Sequence, residues 1–293
     1  GNKSIAFNEY YTTLIKSEGN FCKDIYNAML LATELSKKDT FFVFLNLLTT
    51  KGLTNSYING LTEFSQFHKD PKWIAFLKDN QNYNGINKEL KAQIDSLHDI
   101  DQFFRTKDGS YKVYGDTIKQ IDRKNMLFMY SLITANEFPG EHDIGVNSVS
   151  GDQGYDILFH HYTQSTSVNK RLVKITPLLV NLVLQGKILP NKCSDWLEMQ
   201  DGEFKAGVSG IKSFKINGKQ TGYFRPAYDF IQKLIIDEYR KWLCLETLED
   251  YYKKFTFVIS NPDSKYKFDI RRNIYEVDEN MYNILSKNMI EIK

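Results

Sequence analysis

Apolar residues recur at helical spacing through the middle of the chain. In residues 88–105 the apolar side chains stand three or four positions apart, and residues 116–136 repeat this pattern. Polar residues interrupt both stripes: Asp101 lies within the first, and Asp122 and Asn125 lie within the second. Because a buried polar side chain is costly unless it is paired, the pattern predicts two long helices whose polar residues meet.

Shorter helices are predicted before this pair. Asp70-Pro71 is a helix-start signal, because Asp is a good N-cap and Pro is accepted at the first helical position. Gly52 follows an apolar run, at a place where a helix end commonly requires a positive φ angle. The polar stretch 80–87 has few apolar side chains and predicts a boundary near residue 84.

The pattern becomes partly strand-like beyond residue 201. Asn217-Gly218 lies between two short β-type segments and predicts a hairpin with a type I′ turn. Residues 254–259 and 265–272, with a Pro-containing turn between them, predict a second hairpin. The expected fold is mainly α: helical hairpins are followed by an α-helical bundle, with two small β-hairpins in the C-terminal part. The predicted regions are 1–84, 85–225 and 226–293.

Composition narrows the classes of partner. The 293 residues carry 38 Lys and Arg against 36 Asp and Glu, a net charge of +2, which argues against a nucleic-acid partner. The most apolar stretch, residues 175–184, is about half the roughly 20 residues of a membrane span, so no span is expected. The chain opens with Gly-Asn-Lys-Ser, which is typical of a trimmed N terminus. If a signal was removed, we expect a periplasmic protein or a lipoprotein.

Cysteine and glycine spacing indicates no known cofactor. Cys22, Cys193 and Cys244 are scattered and odd in number, so they form no Cys-x-x-Cys pair and at most one disulfide. The glycines of the 138–154 segment fit neither a P-loop nor a dinucleotide-binding fingerprint. We therefore predict no cofactor. A Gly-rich connection of this length is often functional or disordered.

His161 is the main candidate for chemistry, because imidazole titrates near neutral pH and can serve as a general base or a metal ligand. It follows His160 in a predicted helix, and adjacent helical side chains point about 100° apart. The two imidazoles therefore do not readily chelate one ion, and a metal site would need Asp122 or the His142-Asp143 pair as further ligands. We predict no metal site. The catalytic candidates are His161, Asp101 and Asp122, and the binding candidates are Gln102, Arg105, Asn125 and His160.

Two helical motifs lie within residues 20–80. One runs from Tyr26-Asn27-Ala28 to Lys51-Gly52-Leu53, and His68-Lys69-Asp70-Pro71-Lys72-Trp73 follows it. The first resembles a tetratricopeptide-type helical hairpin, and the second resembles the degenerate half-repeat that often follows such a hairpin in bacterial proteins. Phe42 and Val43 replace the small residues usual in the second helix. The resemblance implies stacked helices and a concave surface for a partner.

Residues 88–225 carry a second set of spaced motifs. In order, they are Asp101-Gln102 with Arg105, Asp122 with Asn125, Phe138-Pro139, His161, Gly186 and Gln220-Thr221-Gly222-Tyr223. This order resembles an uncharacterised bacterial family, a domain of unknown function. The chain departs from the family at Asn136-Glu137, where the family has Gly before the aromatic residue, and the last motif matches only loosely. The resemblance implies a helical fold and assigns no activity.

Two functional hypotheses follow. The first is a non-enzymatic helical binding protein with a peptide or protein partner, which the repeat-like hairpin favours. The second is a hydrolase-like enzyme in which a polar cluster around His161 lies under the 138–154 segment. An enzyme needs these side chains in one accessible pocket, whereas a binding module would keep them buried and mutually paired.

Overall fold

The computed structural model describes residues 2–17, 20–168, 174–202, 205–207, 210–271 and 273–292. The chain folds into two units. Unit 1 comprises residues 1–162, 185–188 and 265–267, and unit 2 comprises residues 163–184, 189–264 and 268–293. Helices dominate the described residues and a small sheet lies in the C-terminal part, which confirms the expected mainly α fold.

Unit 1 is built from helices. They are α1 (Lys3–Lys16), α2 (Cys22–Glu34), α3 (Lys38–Leu47), α4 (Asn55–Asn59), α5 (Pro71–Gln81), α6 (Lys88–Arg105), α7 (Ser110–Thr134), α8 (Glu141–Ile144) and α9 (Tyr155–Val168), whose last residues belong to unit 2. Two 3₁₀ segments, Leu48–Lys51 and Thr62–Phe67, connect the early helices.

The predicted signals act as expected at several helix ends. The Asp70 side chain accepts a hydrogen bond of 2.8 Å from the Lys72 N–H and caps α5, whose first residue is Pro71. Asn87, for which no cap was predicted, accepts from the Leu90 N–H and caps α6. Gly52 has a φ angle of 66° and ends the first 3₁₀ segment. Local sequence alone therefore sets these ends.

An aromatic core holds the early helices of unit 1 together. Phe41 of α3 stacks on Phe67 with 4.1 Å between ring centroids, and Trp73 of α5 is fully buried beside it. Val146 and Val149, from the 138–154 segment, belong to the same core. The early helices thus share their interior with a much later part of the chain. The region boundary near residue 84 stays a prediction.

Unit 2 combines helices with a four-stranded sheet. Its helices are α10 (Thr176–Leu184), α11 (Pro190–Asp201), α12 (Phe230–Trp242), α13 (Leu248–Ser260) and α14 (Glu279–Ser286), and its strands are β1 (Lys212–Ile216), β2 (Lys219–Pro226), β3 (Asn273–Glu276) and β4 (Met289–Ile292). The strand order is β3-β1-β2-β4. The β1 strand pairs antiparallel with β2 and parallel with β3, and β2 pairs antiparallel with β4.

One predicted hairpin is confirmed and the other is wrong. Asn217 and Gly218 have φ angles of 50° and 78° and join β1 to β2, as a type I′ turn requires. Residues 254–259 are instead helical and belong to α13. The buried residues of α13 follow helical spacing, because Leu248, Tyr251 and Phe255 share one face with Tyr252. This period outweighs the strand preference of the aromatic residues.

Candidate functional site

The candidate site is a charged cluster at the end of α6. Asp101 and Arg105 lie one turn apart, and Arg105 Nε is 3.2 Å from Asp101 Oδ2. Gln102 also donates to this oxygen, at 2.7 Å. The Asp101 carboxylate is only 1% exposed, so the interruption of the apolar stripe is a buried ion pair rather than a surface one.

Arg105 connects α6 to α7. Its Nη2 contacts Asp122 Oδ1, and its Nη1 donates to the Tyr111 hydroxyl while the guanidinium lies 5.3 Å from the Tyr111 ring centroid. Arg105 and Asp122 side chains are both 9% exposed. A guanidinium suits this role because its fork of donors reaches two carboxylates at once.

His161 brings α9 to the same point. Its Nδ1 lies 2.8 Å from Asp101 Oδ2, and its side chain is 12% exposed. This contact is an ion pair when the imidazole is protonated. The expected meeting of polar residues from the long helices is therefore confirmed for Asp101, Arg105, Asp122 and His161.

The two carboxyls respond differently to their surroundings. Burial raises the pKa of Asp101, but the contacts with His161 and Arg105 outweigh it, and the pKa lies below the ordinary value. Burial is also the largest influence on Asp122. The contact with Arg105 offsets it only in part, so the pKa of Asp122 is raised. Contacts with Asp122 and Asp101 raise the pKa of Arg105 against the effect of burial. The surroundings therefore favour the charged form of Asp101 and disfavour that of Asp122.

The same residues offer potential metal ligands. One ligand atom each from Asp101, Asp122 and His161 lie within 4.8 Å of one another. Two carboxylates and one imidazole would suit a divalent transition metal. However, Arg105 already binds both carboxylates, and a cation would have to compete with this fixed positive charge. The arrangement supports an ion-pair cluster better than a metal centre.

The remaining candidate residues are Asn125, His160 and the His142-Asp143 pair, and they lie outside the ion pairs of the cluster. Asn125 is buried on the cluster side of α7, one turn after Asp122. The His160 ring meets the His161 ring edge to face, with 5.4 Å between centroids and an interplanar angle of 75°. His142 pairs with Asp143 at 3.1 Å, and Lys187 binds the same carboxylate at 2.7 Å. The structure assigns no role to these side chains.

The 138–154 segment is ordered and mostly buried. It contains α8, and its Val146 N–H donates to the Lys51 carbonyl at 2.8 Å. The Val149 N–H donates to the Tyr57 hydroxyl at 3.1 Å, and the Asp143 carbonyl accepts from the Asn87 N–H. These bonds fasten the segment to residues 51–87. The length of the segment is used for this packing.

The three cysteines are free thiols. Burial, reinforced by Glu141, raises the pKa of Cys22, and burial raises that of Cys193 to about 12. Cys244 is exposed. Neither buried thiol is therefore suited to act as a nucleophile at neutral pH.

Sequence reasoning missed one surface feature. The side of α12 that faces solvent carries large apolar residues, which we call the α12 face: Phe230, Ile231, Leu234, Ile235 and Trp242. Its signal was present in the sequence, because apolar residues at i, i+1, i+4 and i+5 form a stripe. The stripe was missed because periodicity does not say which of two apolar sides becomes buried.

Comparisons with known proteins leave the family assignment open. Within the described part of the chain, no helix combines the length and apolarity needed to cross a membrane. No family model, no curated protein and no solved structure matches this chain.

Proposed function

We propose that this protein is a non-enzymatic binding protein whose α12 face holds an amphipathic helix of a partner protein. The observation that carries the proposal is the exposure of that face. Phe230, Ile231 and Ile235 are 72%, 60% and 65% exposed. Several large exposed apolar residues on one side of a helix are typical of interaction sites, whereas single exposed apolar residues are common everywhere.

The rest of α12 is held firmly by its opposite side. Arg240 is buried, and it donates through Nε to the Glu246 carbonyl at 2.6 Å and through Nη1 to the Ala206 carbonyl at 2.8 Å. Ile236 packs into the core of unit 2. Asp229 and Gln232 form a capping box at the start of the helix. The α12 face therefore contributes little to folding and is free to serve binding.

Charge indicates what kind of helix would fit. Glu238 is exposed, and at 100° per residue it lies in the middle of the α12 face, between Leu234 and Trp242. A carboxylate beside Leu234, Ile235 and Trp242, with Lys241 as its one basic neighbour a turn away, favours a partner helix that carries one basic residue within its own apolar stripe. The paired, buried state of the Asp101 cluster also supports a binding protein over an enzyme.

The test uses a labelled synthetic amphipathic helix of about 18 residues with a central Arg in its apolar stripe. Fluorescence anisotropy should show binding that Ile235→Glu weakens about tenfold or more. Leu127→Glu is the matched control, because Leu127 is 61% exposed on α7, and this change should have no effect. Replacing the central Arg of the peptide by Glu should also weaken binding.

Other results would overturn the proposal. Absence of peptide binding, or equal loss in Leu127→Glu, would remove the α12 face as the site. A wild-type dimer in sedimentation that Ile235→Glu makes monomeric would assign the face to a second copy. Binding to phosphatidylcholine vesicles that Ile235→Glu abolishes would assign it to a lipid surface.

A hydrolase-like enzyme is the second candidate, and the contact between Asp101 and His161 is the observation that favours it. A carboxylate beside Nδ1 can orient an imidazole so that the other ring nitrogen acts as a base. The test is hydrolysis of a p-nitrophenyl ester by the purified protein. Turnover lost in His161→Asn without a change in melting temperature would support the enzyme.

A further inference from the structure

The turn between α6 and α7 holds a lysine against three aromatic rings. Lys107 Nζ lies 3.9 Å from the ring centroid of Phe103, 5.4 Å from that of Phe104 and 5.8 Å from that of Tyr114. All three distances fall within the range of cation–π attraction. We call these three rings the α6–α7 cage.

The rings are arranged by their own packing. Phe103 and Phe104 meet edge to face with 5.0 Å between centroids, and Phe104 lies 5.3 Å from Tyr114 across the two helices. Phe103 is 53% exposed, so the cage opens to solvent. The cage therefore does not depend on Lys107 for its shape.

Within the described residues, the Lys107 ammonium contacts these three rings. Among the described residues, no carboxylate pairs with Lys107, and the residue as a whole is exposed. A primary ammonium is strongly hydrated, so it gives up favourable hydration when it lies against aromatic rings. A quaternary ammonium is more weakly hydrated and carries its charge over apolar methyl groups, which is the chemistry that aromatic cages recognise best.

We propose that the α6–α7 cage is a binding site for a small quaternary ammonium compound, and that Lys107 occupies it in the unliganded protein. The ligand displaces the tethered ammonium, which then moves into solvent. This site is separate from the α12 face, so neither proposal depends on the other. The lysine acts as an internal competitor and lowers the apparent affinity for the ligand.

The experiment measures choline binding by saturation-transfer NMR in the wild type and in Lys107→Gln. We expect Lys107→Gln to bind choline about tenfold more tightly, because the competitor is gone. The neutral isostere 3,3-dimethyl-1-butanol should not bind, since it lacks the charge. The double variant Lys107→Gln/Phe103→Leu should lose choline binding at an unchanged melting temperature.

Phosphatidylcholine vesicles distinguish a lipid headgroup from a free ligand, and Phe103-dependent binding to either supports the site. Equal choline affinity in the wild type and Lys107→Gln would overturn the competing role of the lysine. Absence of choline binding in Lys107→Gln, equal binding of the isostere, or binding that survives Phe103→Leu would overturn the site itself.

Discussion

Oδ2 of Asp101 on α6 lies 2.8 Å from Nδ1 of His161 on α9. Arg105 holds the same carboxylate from within α6 and also binds Asp122 on α7. Charged groups thus join three helices at one nearly buried point. When one member of a buried charged cluster is removed, the remaining charges lose their partner but stay shielded from water, which is destabilising. Three predictions follow from this.

His161→Ala should lower the free energy of unfolding by about 1–3 kcal/mol, because the buried Asp101 loses a partner. The measurement is urea unfolding at pH 7. His98→Ala is the control, since the His98 side chain is 41% exposed and its acidic partner Asp99 is on the surface of α6; it should cost less than about 0.5 kcal/mol. Unchanged stability in His161→Ala, together with lost uptake of a stoichiometric transition metal, would instead make His161 a ligand.

Arg105→Met should be the most destabilising change, at about 3–5 kcal/mol, because it leaves two buried carboxyls facing each other. Adding Asp122→Asn should recover part of this loss, since only one carboxylate then remains. Arg123→Met is the matched control on the exposed side of α7 and should have little effect. Additive behaviour in the double-mutant cycle would contradict the coupling.

Acid should weaken the protein partly through Asp101. Its folded-state pKa is lowered, so its stabilising contribution is present above the ordinary carboxyl pKa of 3.8 and is lost as the pH falls through the lower folded-state value. Asp101→Asn should therefore flatten the loss of stability below pH 3.8. The folded-state pKa of Asp122 is raised, so its contribution to stability falls as the pH rises through the carboxyl range. Asp122→Asn should therefore remove this loss of stability. Identical pH profiles in all three proteins would contradict both directions.

Deleting residues 1–84 tests the first predicted region. The deletion removes the Lys51 carbonyl and the Tyr57 hydroxyl, which accept from Val146 and Val149, and it removes most of the core that these two valines join. We expect residues 138–154 to lose protection from hydrogen exchange. Cooperative melting of the 85–293 chain with that protection intact would show that region 1–84 is dispensable.

Native protein should react with one equivalent of a thiol reagent, at Cys244. Cys22 and Cys193 are fully buried and have raised pKa values, so they should react only on unfolding. Labelling with 5,5′-dithiobis(2-nitrobenzoic acid) in buffer and then in urea checks this. Cys244→Ser should abolish the native reaction, and rapid labelling of that variant would disprove the assignment.

Several features follow from short stretches of sequence, because their causes lie within a few residues. Asp70-Pro71 starts α5 and Asn217-Gly218 turns β1 into β2. Asp101 and Asp122 within apolar stripes indicated a buried polar cluster, since only mutual pairing makes such positions tolerable. These were predictable because capping, turn geometry and periodicity are local.

Tertiary structure alone decided the rest. It selected helix over strand for residues 254–259, because the core of unit 2 accepts a face with helical spacing. It determined which side of α12 packs against the core of unit 2: Ile236 and Arg240 are buried, and Ile235 is exposed to solvent. It also brought Tyr111 to Arg105 and Val146 to the α2–α5 core. Apolar periodicity states that a face can be buried, but the neighbour that covers it comes from distant sequence, and only the folded chain supplies that neighbour.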